Sequence, residues 1–275
     1  MTGAPDYPFF SDPPPRIAGH RGAAGTVPEN TLASFRRGLD DGATFIELDV
    51  HASRDGEIVI IHDETVQRTT DGKGAVRDMD AAELGKLDAG FRFSPDGGAT
   101  HPFRGRGIGV PTLREFFSEF PRTKATLEIK ELPAPAIETL FDLVEEFGKA
   151  DEVLVATEDD AMMGAARAVM HRRNLPVATG FSTGEIRAFM TKLWTGREPP
   201  PDVPGQALQI PRRYLGMPLV TRASVDAAHR RGVEVHVWTV NEVDAMKELL
   251  TLGVDGIITD YPARVRDLLH PPQPR

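Results

Sequence analysis

The 275-residue sequence predicts one (β/α)8 TIM barrel with a small insertion after its second strand. Three observations lead there. Eight short apolar runs read as strands, each followed by a helical pattern, once a hairpin at Asp55-Gly56 is set aside. The length suits a barrel, for which roughly 250 residues is typical. Four of the apolar runs end in chemically capable residues: His20-Arg21-Gly22, Glu47-Leu48-Asp49, His62-Asp63 and Glu128-Ile129-Lys130. The carboxyl ends of the strands are where such a barrel carries its chemistry.

Taken in order, residues 1–15 hold Pro5, Pro8, Pro13, Pro14 and Pro15 and read as an extended arm. The barrel is expected over 16–270, and 271–275 is a proline-containing tail. Residues 16–20 form the first strand. Pro28-Glu29-Asn30-Thr31 should open the first helix, because proline suits the first turn and Glu29 favours the positive end of the dipole. Leu32, Phe35 and Leu39 give that helix its apolar stripe, and Gly42 ends it. Residues 44–52 are the second strand. The Asp55-Gly56 turn returns the chain along 57–62. Residues 64–110 lose the alternation and read as the insertion, with a short helix near 81–87 and glycine-rich loop from 90 to 109. Gly72-Lys73-Gly74 lacks the strand-to-helix setting of a phosphate loop and is read as a turn. From Pro111 the alternation resumes. Strands are expected at 124–130, 152–157, 176–181, 207–210, 233–240 and 256–259, with helices between them and a last helix at 262–269.

Composition narrows the function classes. Acidic residues outnumber basic ones, 41 to 32, for a net charge of −9. That excess argues against nucleic acid as the main partner and against tight binding to an anionic membrane. Cysteine is absent, so no thiolate nucleophile or cysteine zinc site exists. No leader pattern and no spanning run are evident. A soluble cytoplasmic protein of open oligomeric state is the expectation.

The strand-end residues suggest a metal-assisted acid–base site. Glu47 and Asp49 lie two apart on a strand and therefore share a face. Converging carboxylates repel unless a cation sits between them, and oxygen ligands suit Mg2+, Ca2+ or Mn2+. Glu128 and Lys130 repeat the spacing, so Glu128 can complete the metal shell while Lys130 meets a phosphate oxygen. His20 and His62 can serve as general acid and base. Arg21 offers a forked donor for phosphate. A row of solvated charges and two hydrogen-bonded loop histidines is the plainer alternative. His51 shares the face of Glu47 and Asp49 but is read as structural. His236 should lie deeper in the barrel as a satisfied core histidine. Trp238, nearer the mouth, either stacks on an organic substrate or packs the barrel. His101, His171, His229 and His270 are assigned nothing. Gly253-Val254-Asp255-Gly256, leading into Ile257-Ile258-Thr259-Asp260, is read as a helix cap and buried scaffold strand.

With Pro28-Glu29-Asn30-Thr31, Val237-Trp238-Thr239-Val240-Asn241 and residues 253–260 added, these motifs occur in the order and spacing that resemble the glycerophosphodiester phosphodiesterases. The resemblance runs from about residue 17 to 269. It implies a (β/α)8 barrel that hydrolyses a glycerophosphodiester to sn-glycerol 3-phosphate and an alcohol. It implies a divalent cation on Glu47, Asp49 and Glu128, with His20 and His62 as the acid–base pair. Arg21 and Lys130 would hold the phosphate, and Glu29 and Asn30 would support the site from the first helix. Where the family often has a Ser-Ser-Phe-like loop after the fourth strand, this chain has Ala156-Thr157-Glu158-Asp159. Gln209 and Pro211-Arg212-Arg213-Tyr214 are further candidates for specificity. Two other readings stand beside this one. A phospholipase D-like enzyme acting on lysophospholipids would be favoured by an apolar lip around Phe91, Phe93 and Phe103. A barrel that only binds glycerophosphodiesters would be favoured by a missing catalytic residue.

Overall fold

The structure, a computed structural model, describes residues 7–199 and 204–271. After a 3-10 turn at Pro8–Phe10 come β1 (Arg16–His20), α1 (Leu32–Asp40), β2 (Phe45–Ala52), β3 (Ile58–Ile60) and α2 (Ala81–Leu84). Then follow α3 (Leu113–Glu119), β4 (Lys124–Glu131), α4 (Ala134–Glu146), β5 (Val153–Ala156), α5 (Asp160–Arg173), β6 (Ala178–Thr179) and α6 (Thr183–Trp194). The chain ends through β7 (Ala207–Pro211), β8 (Arg213–Tyr214), β9 (Met217–Pro218), α7 (Arg222–His229), β10 (Glu234–Trp238), α8 (Val243–Leu252), β11 (Gly256–Thr259) and α9 (Pro262–Leu269).

Eight of these strands run parallel in the order β6-β5-β4-β2-β1-β11-β10-β7, which is the expected TIM barrel. A single bridge, Gly180 to Ala207, joins its ends. Strand β3 pairs antiparallel with β2, Val50 facing Ile60, so the Asp55-Gly56 hairpin forms as expected, with Gly56 at φ 84°. Strand β2 shows how alternation builds the site. Ile46, Leu48 and Val50 join the buried layer beneath the helices, together with Phe116, Leu127 and Leu140. Glu47, Asp49 and His51 then share the other face, along the barrel interior.

Several boundaries differ from expectation. Helix α1 starts later: Thr31 is its N-cap, accepting from Ser34 N at 3.1 Å, and Pro28, Glu29 and Asn30 precede it as a turn. Strand β6 has two residues rather than six. Pro176 carries no N–H for a ladder. The insertion contains 3-10 turns at Val66–Arg68 and Val76–Asp78, and its helix stops at Leu84. Within the proline-rich arm the chain is not extended at Pro8–Phe10, because Phe9 turns in and is buried against Phe45, with ring centroids 5.4 Å apart. The rest of that arm before Tyr7, part of the loop around Pro200 and Pro201, and the tail beyond Pro271 lie outside the described residues.

The barrel floor is polar and mostly satisfied, with Arg16 Nε buried without a hydrogen-bond partner. Arg16 pairs with Glu234 at 2.5 Å, and His236, wholly buried, contacts Glu234 through Nε2 at 3.0 Å and Gln209 through Nδ1 at 3.3 Å. His236 is therefore a core histidine. Gln209 is committed here as well, its amide also reaching Thr126 Oγ1 at 3.4 Å, which removes it from the mouth as a specificity residue.

Candidate active site

The site starts with a loop that only glycine permits. Strand β1 ends at His20, in register with Glu47 of β2. At Gly22, φ is 92° and a Cβ would fall 2.4 Å from Ser34 Oγ. The chain can therefore fold back tightly on α1. Arg21 and Asn30 are themselves left-handed, at φ 49° and 54°. Non-glycine residues in that region cost on the order of 1 kcal/mol or more each and persist where surroundings hold them. Here the Arg21 N–H donates to Glu47 Oε2 at 3.0 Å, and the Arg21 carbonyl accepts from Asn30 N at 3.0 Å and Ser34 Oγ at 2.9 Å. The strained turn thereby delivers Glu29 and Asn30 to the mouth.

Asp49 stands opposite Glu128 in the β2–β4 register. One oxygen each from Glu47, Asp49 and Glu128 lies within 4.8 Å of the others. Asn30 Nδ2 donates to Asp49 Oδ2 at 2.7 Å, and Arg21 Nε lies 3.1 Å from the same oxygen. Lys130 Nζ contacts Glu128 at 2.6 Å and Asp49 Oδ1 at 3.1 Å, but the latter is an ion contact without hydrogen-bond alignment. Asp49 Oδ1 thus remains buried with no aligned donor. Burial raises the cost of the Asp49 charge, yet Arg21 and Lys130 outweigh it and hold this carboxyl below its usual range. Glu47 shows the opposite balance: burial, then the charge of Asp49, pushes it up to about 8. Two cations do not neutralise three gathered carboxylates. The orphaned oxygen, the raised Glu47 and an all-oxygen donor set fit a hard divalent cation.

Each candidate histidine is backed by a carboxylate. His20 Nδ1 lies 2.6 Å from Asp260 Oδ1, which leaves Nε2 facing Glu47 at 4.0 Å. Burial disfavours the His20 imidazolium, but the hydrogen bond to Asp260 and the nearby Glu47 leave its pKa above the usual value. Asp260 is fixed in turn by Asn241, whose Nδ2 donates to Oδ2 at 2.6 Å while its Oδ1 accepts from the Asp260 N–H at 3.0 Å. His62 Nδ1 lies 2.6 Å from Asp63 Oδ1. His51 fixes the same segment from below, Nε2 lying 3.0 Å from the His62 carbonyl. Burial would raise Asp63, but Arg68 and His62 bring it down to about 2.

Glu29 joins the two halves. It accepts from Arg21 at 2.8 Å and from both terminal nitrogens of Arg68 at 2.7 and 2.8 Å, while Arg68 Nε donates to Asp63 at 2.6 Å. Burial works against the Glu29 charge, and the two guanidiniums more than offset it. The structure thus gathers His20, Arg21, Glu29, Asn30, Glu47, Asp49, His62, Glu128 and Lys130. Trp238 ends β10 beside Pro211, half-buried, and among the described residues no hydrogen bond or ion pair ties it to this network. Sequence reasoning missed three contributors. The sequence alone marks Asp260 only as scaffold, gives Asn241 no role and leaves Arg68 in the unpatterned insertion. The 157–159 loop is internally satisfied, with Asp159 capping α5 through Met162 N at 2.7 Å. The aromatic lip does not form: Phe93 packs edge-on to Phe103 at 5.3 Å, and Arg104 covers Phe91 at 4.3 Å.

Under-neutralised carboxylates flanked by backed histidines, at the mouth of a parallel barrel, define a class: barrel enzymes that act on phosphate esters. Residues 20–264 match the glycerophosphoryl diester phosphodiesterase family, and the chain belongs to that family. A glycerophosphodiester phosphodiesterase of Caldanaerobacter subterraneus subsp. tengcongensis is 31% identical over 92% of this chain and 97% of its own. Among solved structures, the glycerophosphoryl diester phosphodiesterase domain of a Mycobacterium tuberculosis protein shares the fold, with a TM-score of 0.83 at 23% identity over 94% of this chain and all of that one. An Oleispira antarctica phosphodiesterase, solved with the product sn-glycerol-3-phosphate, has a TM-score of 0.71 at 25% identity, covering 93% of this chain and 96% of its own.

Proposed function

We propose that this chain hydrolyses glycerophosphodiesters to sn-glycerol 3-phosphate and an alcohol, with His20 and His62 as the acid–base pair. Glu47, Asp49 and Glu128 would hold one divalent cation, Mg2+, Ca2+ or Mn2+. The observation that carries this reading is the convergence of three carboxylate oxygens within 4.8 Å, one of the carboxylates pushed up to about 8. When bound, the cation would supply Lewis-acid polarisation of a phosphoryl oxygen. Arg21 and Lys130 would donate to the remaining phosphate oxygens, stabilising charge that builds in the transition state. Asp260 and Asp63 occupy Nδ1 of their histidines and so leave each Nε2 to move a proton. One Nε2 takes the proton of the attacking hydroxyl, from water or the substrate's own glycerol 2-hydroxyl. The other returns a proton to the departing alcohol oxygen; where the 2-hydroxyl attacks, the product is a cyclic phosphate, which water then opens with the two roles reversed to give glycerol 3-phosphate. The intact network disfavours a barrel that only binds its ligand. Among the described residues no helix is long and apolar enough to cross a membrane.

The test is turnover of glycerophosphocholine, read as glycerol 3-phosphate released. EDTA should abolish it and one of the three ions should restore it. Asp49→Asn should lower kcat/KM by roughly 10^4-fold, since several kcal/mol of charge stabilisation goes with the ion. Full turnover after dialysis against EDTA would overturn the assignment of the metal site.

A further inference from the structure

Among the described residues, five large hydrophobic side chains are exposed: Trp194, Tyr214, Leu215, Met217 and Val243. Four of the five are not scattered. They lie on the segments that leave the C-terminal ends of β7 and β10, which are paired neighbours on one side of the barrel mouth. Tyr214, Leu215 and Met217 form the tip of the β8–β9 hairpin, directly beyond Pro211, the register partner of Trp238. Val243 opens α8, and Arg212 at the hairpin base pairs with Glu248 of that same helix.

The tip has an unusual residue choice. Tyr214 faces Met217, so Leu215 and Gly216 are the two central turn residues, at φ 48° and 80°. That left-handed pair normally takes Asn-Gly or Gly-Gly, and a leucine there is sterically disfavoured. Leu215 is nevertheless 83% exposed, so nothing among the described residues rewards the choice. A disfavoured, water-facing leucine at the rim of a site points outward, to a partner.

We propose that this hairpin is a lipid-surface contact, which seats the barrel mouth on a zwitterionic phospholipid interface. The proposal rests on the reading of the site as a phosphodiesterase only in naming the end of the barrel that faces the lipid. Shape and charge select this occupant. The tip is a convex point of three side chains, far below the roughly 800 Å² per partner that a stable protein interface needs. A fluid apolar layer accepts a point without a matching groove. Arg212 and Arg213 stand at the base of the tip, Arg213 donating to the Gly216 carbonyl and holding the turn closed. The net charge of −9 opposes an anionic membrane and leaves a zwitterionic one.

The test is flotation of the full chain with phosphatidylcholine vesicles, comparing wild type with Leu215→Ser/Met217→Ser. Wild type should float at millimolar lipid, and the double variant should bind at least tenfold more weakly, since a buried leucine-sized side chain is worth roughly a factor of ten in partition. The variant should keep its circular dichroism and its kcat/KM on soluble glycerophosphocholine. Failure of wild type to float, or equal flotation of the variant, overturns the proposal. So does wild-type self-association in sedimentation velocity that the variant abolishes, since the tip would then join two copies. Flotation that depends on the tip, with no hydrolysis of glycerophosphocholine, upholds the lipid contact and overturns the reading of the site instead.

Discussion

His20 and His62 look alike in sequence, each at the end of an apolar run, yet they stand on different ground. The His20 side chain is 17% exposed and that of His62 is 32%. His20 is backed by Asp260, which Asn241 holds through both its carboxylate and its N–H, and all three residues sit at ends of barrel strands. His62 is backed by its own neighbour, Asp63, and that carboxylate is held by Arg68 from the insertion. One histidine is thus fixed by the scaffold and the other by an added segment. The difference teaches that the same pairing of imidazole and carboxylate can be rigid on one side of a site and adjustable on the other.

The strongest way to break the comparison is to remove the imidazoles. His20→Ala and His62→Ala should each cost roughly 10^2–10^4-fold on a diester with a poor leaving group. On a p-nitrophenyl ester, whose alcohol leaves without a proton, the variant lacking the general acid should recover substantially and the other should not. Equal losses on both substrates, with folding intact by circular dichroism, would show that the two share one role.

The guanidiniums sharpen it next. Arg21→Lys should cost about 2–4 kcal/mol in kcat/KM, because a point charge cannot replace a fork that reaches both Glu29 and Asp49. Arg68→Lys should cost less than about tenfold, since its side chain is 45% exposed and its pairs are screened by water. A larger loss at Arg68 than at Arg21 would place the critical phosphate contact on the insertion.

The effects of the backing carboxylates should be unequal. Asp260→Asn should lower kcat roughly 10–100-fold, Asp63→Asn by less. The sign in pH follows from charge. Asp260 stabilises the His20 imidazolium and raises its pKa, so replacing it moves the limb governed by His20 to lower pH. A limb that stays in place would mean that Asp260 only orders the ring.

Much of this site was legible because it obeys short-range rules. Glu47 with Asp49 and Glu128 with Lys130 follow the two-residue period of a strand, and the strand ends fixed where they would meet. What escaped depended on distance or on broken pattern. Asp260 looked like scaffold because its partner is 240 residues away. Arg68 has no periodic neighbours to mark it. Pro28-Glu29-Asn30 carries the composition of a helix start, but the left-handed Asn30 and the capping hydroxyl of Thr31 put the helix one turn later. Phe91, Phe93 and Phe103 suggested a lip, and cation–π and edge-on packing consumed them.

The lone bridge between Gly180 and Ala207 gives the barrel unequal resistance around its circumference. Seven of its interfaces are ladders, from two registered pairs at β5–β6 and at β10–β11 to seven at β2–β4, while this seam has one bridge. Native-state fluctuations should therefore begin there, and amide protons along β6 and the start of β7 should exchange with solvent well before those of β2 and β4. Because β7 also carries the exposed hairpin, any force applied at that rim is transmitted first to the weakest joint of the cylinder, while the strands bearing the carboxylates stay shut.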